Sequence, residues 1–150
     1  MKLTPEQTAQ IDAALELAAS VFGAPGTELR NPRDAARYLR LRLADKPCEE
    51  FGIIWMDARN NVLEVETIGF GGADYVDIVP RRVINSAIRL NAVHAIAFHN
   101  HPSGDSEPSN ADCMATEKYG GILGLLGCEL LDHFVVGKNV YSIKEGDVIR

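Results

Sequence analysis

The spacing of hydrophobic positions divides the chain at about Phe51. Before it, Ile11, Leu15, Ala18 and Phe22 recur at helical intervals. Thr4-Pro5-Glu6-Gln7 supplies a start signal, with Thr4 as N-cap, Pro5 at the first helical position and Gln7 closing a capping box. Gly23-Ala24-Pro25-Gly26 ends that helix. A second helix is predicted behind Asn31 and Pro32, turning Ala36, Leu39 and Leu43 inward. Residues 1–45 thus read as a helical extension packed on the remainder of the chain.

After Phe51 the pattern is that of strands. Phe51–Met56 is a continuous apolar run, as in a strand buried on both faces. A turn at Asp57–Asn61 leads to Val62–Thr67, where Glu64 and Glu66 alternate onto one half-exposed face. Gly69–Asp74 reads as a loop and Val76–Val79 as a short strand. Pro80 opens a third helix with Val83, Ile84, Ala87 and Ile88 inward. Val93–Phe98 is a second buried strand, Ser109 caps a long helix from Asn110 to about Leu126, and Glu129–Val136 pairs with Val140–Ile143 as a closing hairpin. The expected fold is α/β (α+β), a mixed sheet flanked by helices.

Composition narrows the function classes. A chain of 150 residues with 46% hydrophobic and 24% charged residues suits one globular domain and not a disordered chain. No apolar run reaches the ~18–20 residues of a membrane span, and the polar start carries no secretory signal. Cys48, Cys113 and Cys128 are an odd, unspaced set, so a reducing, cytoplasmic setting is expected. The net charge of -6 gives no global attraction for nucleic acid. A local exception is Arg30 with Arg33, Arg37 and Arg40, the last three at helical spacing, which read as a solvated face or a phosphate-contacting surface.

The chemistry concentrates in His99-Asn100-His101-Pro102-Ser103-Gly104-Asp105, followed by Pro108-Ser109 and Asp112. Two histidines two apart beyond a buried strand leave on the same face and can converge on one ion. Asp112 in the first turn of the helix behind Ser109 is the natural third ligand, leaving water the fourth place on a zinc ion. The same Ser109-x-x-Asp112 spacing is also that of an ordinary capping box. Asp105 reads as a loop-stabilising carboxylate, His94 as structural and Cys113 as core. For His133 a strand role and a ligand-orienting role stand side by side.

His99-x-His101, seven residues, then Ser109-x-x-Asp112 resembles the metalloprotease signature of the JAMM (MPN+) domain. With Leu131-Asp132-His133 downstream, the string resembles the bacterial RadC branch over residues 46–150. The fold implied is of the JAMM/MPN (cytidine-deaminase-like) type. Only about 45 residues precede the domain, without the Gly-rich hairpin of longer members, so the likeness is to shorter RadC-like proteins of phage and prophage loci. The resemblance implies a zinc metallohydrolase with metal ligands His99, His101 and Asp112. It makes Glu49, within Glu49-Glu50-Phe51-Gly52, the base that activates water, and Ser109 the oxyanion donor. It implies a protein or peptide substrate cut at a peptide or isopeptide bond. DNA-associated or nuclease activity through the arginines, and a silent binding module, are the other classes. Zinc deaminases are excluded by the missing Pro-Cys-x-x-Cys and His-x-Glu patterns.

Overall fold

A computed structural model describes all residues except 1, 19, 22, 23, 45 and 72–77. Among the described residues four helices, α1 (Pro5–Ala18), α2 (Pro32–Leu43), α3 (Pro80–Leu90) and α4 (Asn110–Leu125), flank a six-stranded sheet. Its strands are β1 (Glu50–Met56), β2 (Val62–Phe70), β3 (His94–Asn100), β4 (Glu129–Val136), β5 (Val140–Ser142) and β6 (Asp147–Val148). They lie in the order β2-β1-β3-β4-β5-β6. Only β3 and β4 run parallel, and α4 makes the crossover between them, as parallel neighbours require. Among the described residues no helix is long and apolar enough to cross a membrane.

The period-2 alternation of the central strands sorts side chains onto two faces. Ile54, Met56, Ile96, Phe98, Phe134 and Val136 meet Ala35, Ala36, Leu39 and Leu43 of α2. Phe51, Ile53, Trp55, Ala95 and Ala97 meet Val83 and Ala87 of α3 and Tyr119 and Leu123 of α4. Odd-numbered positions of β1 and β3 therefore face α3 and α4. Gly52 on β1 is dictated by close approach, since a Cβ there would lie 2.3 Å from the Phe98 ring and 2.5 Å from the Glu66 carbonyl.

The helix signals act as read. Thr4 and Gln7 exchange side-chain and backbone hydrogen bonds, and the Asn31 side chain accepts from Asp34 N–H at 3.1 Å. Three details differ from the sequence reading. Ile88 is 64% exposed, because α3 turns Val83, Ser86 and Ala87 inward, with the Ser86 hydroxyl bonded to Glu66 at 3.0 Å. Cys113 is exposed and not in the core: each residue advances about 100° around a helix, which takes it off the inward line Asp112, Thr116, Tyr119, Leu123. Strand β2 continues through Gly69 and Phe70, Ile143 lies just beyond β5, and Ile78 and Val79 are not in a strand. Phe22, Gly23, Val76 and residues 72–74 of the expected 69–74 loop lie outside the described residues.

Candidate metal centre

Polar side chains are buried at one end of the sheet, where β1 begins and β3 ends: Glu49, His99, Asn100 and, on the neighbouring β4, His133. His99 follows Ala95 and Ala97 in the alternation, so it emerges on the α4 side. His101 follows at the same parity just past the strand. Its backbone N–H donates to the Val136 carbonyl, and its carbonyl accepts from Gly104 N–H, which folds the loop back. Gly104 takes the left-handed φ of 88°, and the loop presses against Gly137, where a Cβ would stand 2.3 Å from the Gly104 oxygen. Asp105 stabilises this loop as expected, its carboxylate accepting from Glu107 N–H at 3.0 Å.

Helix α4 delivers the carboxylate. Ser109 and Asp112 form a complete capping box, the serine Oγ accepting from Asp112 N–H at 3.1 Å and Asp112 Oδ2 accepting from Ser109 N–H at 2.8 Å. The capping box is formed, and the same Asp112 side chain also reaches the two histidines. Asp112 Oδ1 lies 3.3 Å from His99 Nε2, and Oδ2 lies 3.2 Å from His101 Nε2. The Ser109 hydroxyl is used as an acceptor, so its own proton remains available.

Glu49 is set by a residue the sequence reading passed over. Asn100, between the two histidines, accepts from Glu50 N–H at 2.7 Å and donates to the Cys48 carbonyl at 3.1 Å. This clamp holds the backbone on both sides of Glu49, whose own carbonyl accepts from Gly71 N–H. Glu49 is buried, with Oε1 3.8 Å from His99 Nε2, whereas Glu50 turns toward Lys46 at 3.9 Å.

Glu49, His99, His101 and Asp112 each offer a ligand atom, and those atoms lie within 4.8 Å of one another. The donor set fits a metal ion on two counts. Ligands about 2.0–2.1 Å from a tetrahedral zinc stand roughly 3.3 Å apart. The two Nε2 atoms are 3.0 Å apart and each is 3.2–3.3 Å from an Asp112 oxygen. Secondly, His101 Nδ1 donates to the Asp105 carbonyl at 2.8 Å, leaving Nε2 of the neutral ring bare and aimed inward. A bare nitrogen so close to a second imidazole and a carboxylate calls for a cation or a proton among them.

The electrostatics agree. Burial opposes ionisation of Asp112, but the facing His101 and His99 outweigh it and hold the carboxyl far below its usual range. The facing Asp112 carboxylate raises His101, against burial. Burial raises Glu49, partly offset by the two imidazoles. His133, fully enclosed, is held well below the ordinary histidine range by burial and then by His99. Its Nε2 lies 2.7 Å from His99 Nδ1 and its Nδ1 2.7 Å from Thr116 Oγ1. Thr116 was not among the sequence candidates, although its place one turn after Asp112 puts it on the same helix face. The Asp132 carboxylate accepts from the Ser142 hydroxyl and from the backbone N–H groups of His133 and Lys144. His94 is bonded to Asn60 at 2.6 Å, away from the site.

Arg30 and Arg33 line one cavity. Arg30 pairs with Glu28, while Arg33, Arg37 and Arg40 are exposed on α2. Arg40 joins Lys46, Lys138 and His101 around a cavity of about 310 Å³ beside the metal cluster.

Comparison with known proteins places this arrangement. The sequence profile of the RadC-like JAB domain matches residues 29–148 and so includes α2. Proteins called UPF0758 are similar: one from Janthinobacterium sp. (strain Marseille) is 39% identical over 95% of this chain and 66% of its own length. Others from Marinobacter nauticus and Stutzerimonas stutzeri are 39% and 37% identical over 91% and 90% of this chain, and 63% and 62% of theirs. The chain thus spans somewhat less than two thirds of the length of these relatives. With the profile covering most of the chain and all four residues of the metal cluster, the protein belongs to the RadC-like JAB domain family.

Proposed function

We propose that this chain is a zinc-dependent hydrolase that cleaves a peptide or isopeptide bond. The observation that carries the reading is the convergence of His99, His101 and Asp112 at tetrahedral spacing with Glu49 set slightly farther out. Two imidazoles and one carboxylate suit zinc, with the fourth position left open. A bound zinc supplies a Lewis acid and brings the pKa of a water toward ~7.

The protein's own groups supply the remaining chemistry. Glu49, with its proton affinity raised by burial, takes a proton from the attacking water and passes it to the leaving amine. Asn100 fixes the backbone from which it reaches. The free proton of the Ser109 hydroxyl is donated to the substrate carbonyl oxygen as that oxygen gains charge. Arg40, Lys46 and Lys138 beside His101 suit an acidic group on the substrate near the cleaved bond. Free thiols at Cys48, Cys113 and Cys128 suit a reducing, cytoplasmic compartment.

The nucleic-acid reading draws on the exposed Arg33, Arg37 and Arg40. Many nucleases use two metals ~3.5–4 Å apart, and among the described residues there is a single candidate cluster, so amide chemistry leads. The test is zinc content with turnover on extended peptide libraries and on single- and double-stranded DNA. Wild type should hold about one zinc, lost in His99→Ala and Asp112→Ala. Glu49→Gln should keep zinc and lose hydrolysis by about 10²–10⁴-fold. Full turnover by Glu49→Gln would remove Glu49 from the mechanism, and DNA cleavage alone, lost in His101→Ala, would reverse the substrate class.

A further inference from the structure

The buried chain from His99 through His133 to Thr116 can be assigned proton by proton, starting from one backbone carbonyl. The Thr116 hydroxyl donates to the carbonyl of Asp112 at 2.7 Å, and a carbonyl can only accept. That uses the only proton of the hydroxyl. The 2.7 Å contact between Thr116 Oγ1 and His133 Nδ1 must therefore carry a proton belonging to His133. His133 is 2% exposed and its ring meets Thr116, His99 and Phe51, with no carboxylate within hydrogen-bond reach among the described residues, so a second proton would be a buried unpaired charge; the proton on Nδ1 therefore leaves Nε2 bare. Nε2 in turn faces His99 Nδ1 at 2.7 Å, and that contact needs the proton on His99. A neutral His99 then presents a bare Nε2 to the metal cluster. The other tautomer would point an N–H at the ion's position.

We propose that Thr116 and His133 are positioning residues that lock His99 in the metal-binding tautomer and fix its ring plane. The assignment rests on the metal reading above, and its geometry closes a loop. Asp112 offers a carboxylate oxygen to the cluster, while its backbone oxygen, one helical turn from Thr116, anchors the relay that prepares the neighbouring ligand. Phe51 stacks edge-on against the His133 ring with centroids 5.7 Å apart, which holds that ring against rotation. The device parallels the one at His101, where the Asp105 carbonyl does directly what the Asp112 carbonyl does through two side chains. Partners of this kind typically govern metal affinity by 10–100-fold.

Two measurements test the lock. Nitrogen-15 NMR of the metal-free protein, at a pH where the imidazoles are neutral, reads the tautomers without any metal. His99 and His133 should both carry the proton on Nδ1. In Thr116→Val the His133 ring should lose that single state, and Thr116→Ser should keep it. Competition for zinc against a chromophoric chelator should then show His133→Phe weakened about 10–100-fold and Thr116→Val less, with His133→Gln and Thr116→Ser partly or fully restored. The cobalt(II) absorption spectrum should shift in the weakened variants. If wild-type His99 carries its proton on Nε2, or if Thr116→Val and His133→Phe bind zinc like wild type with an unchanged cobalt spectrum, the lock is wrong. Failure of wild type to take up zinc overturns the metal reading itself, whatever tautomer the NMR records.

Discussion

At the scale of single residues, the site depends on groups that serve two neighbours at once. Ser109 caps α4 with a lone pair and, in the proposed mechanism, gives its proton to substrate, so Ser109→Ala should separate two effects. Loss of the cap should cost ~1 kcal/mol in denaturant unfolding. Loss of the donor should lower kcat by about 10²–10³-fold with zinc retained. His101 governs pH behaviour. Its pKa is raised, chiefly by Asp112, so its contribution to metal-free stability is full below the unfolded value near 6.5 and fades as pH rises through the folded value. With His101 as a proposed ligand, zinc has to displace that proton, so zinc affinity should fall about tenfold per pH unit on the acid side of this titration; zinc competition across pH measures it. Affinity independent of pH there would remove His101 from the ligand set. The convergence of His99, His101 and Asp112 was legible because strand parity and loop length follow directly from sequence. The roles of His133, Thr116 and Asn100 were not, because each is fixed by an atom from a distant segment: His99, His133, and the backbone around Glu49.

At the scale of elements, the central strands and capped helices follow from local chemistry, and errors arise where tertiary contact chooses among similar options. The inward line of α3 is shared with Ser86, which finds Glu66 across the sheet, and Ile88 is rotated out as a result. Two-residue β6 has no periodic signal to read. Gly52 shows how tightly β1 is held between its neighbours. Adding a methyl group there would force Phe98 or the β2 backbone to move, and overpacking of this kind costs ~1–3 kcal/mol. Gly52→Ala should lower the denaturation midpoint accordingly, and because β1 carries Glu49 at its start, it should also reduce turnover; an unchanged midpoint would show that β1 and β3 can separate at no cost.

At the scale of the whole molecule, charge is unevenly placed. An acidic chain of net charge -6 gathers Arg40, Lys46 and Lys138 around the cavity beside His101; among the described residues Lys46 pairs with Glu50 at 3.9 Å, and Arg40 and Lys138 form no ion pair. Arg40→Glu with Lys138→Glu should raise KM for acidic peptides at least several-fold and far less for neutral ones, an effect that added salt should diminish. Equal KM changes for both peptide classes would mean that the cations act only on the fold. Such a preference was not legible in sequence, since the three cations come from α2, the segment after it and the β4–β5 turn.

The double use of Asp112 also carries a consequence for breathing motions. Helix ends normally fray first and at little cost, and their amide hydrogens exchange early. Here Asp112 Oδ2 both ties down the first turn of α4 and faces His101. With the proposed zinc on Asp112, unwinding that turn and releasing the ion would become one event, so saturation with zinc would lift the opening free energy of the helix end by RT ln(1 + [Zn]/Kd). The start of α4, ordinarily the loosest part of a helix, then exchanges at a rate set by metal concentration.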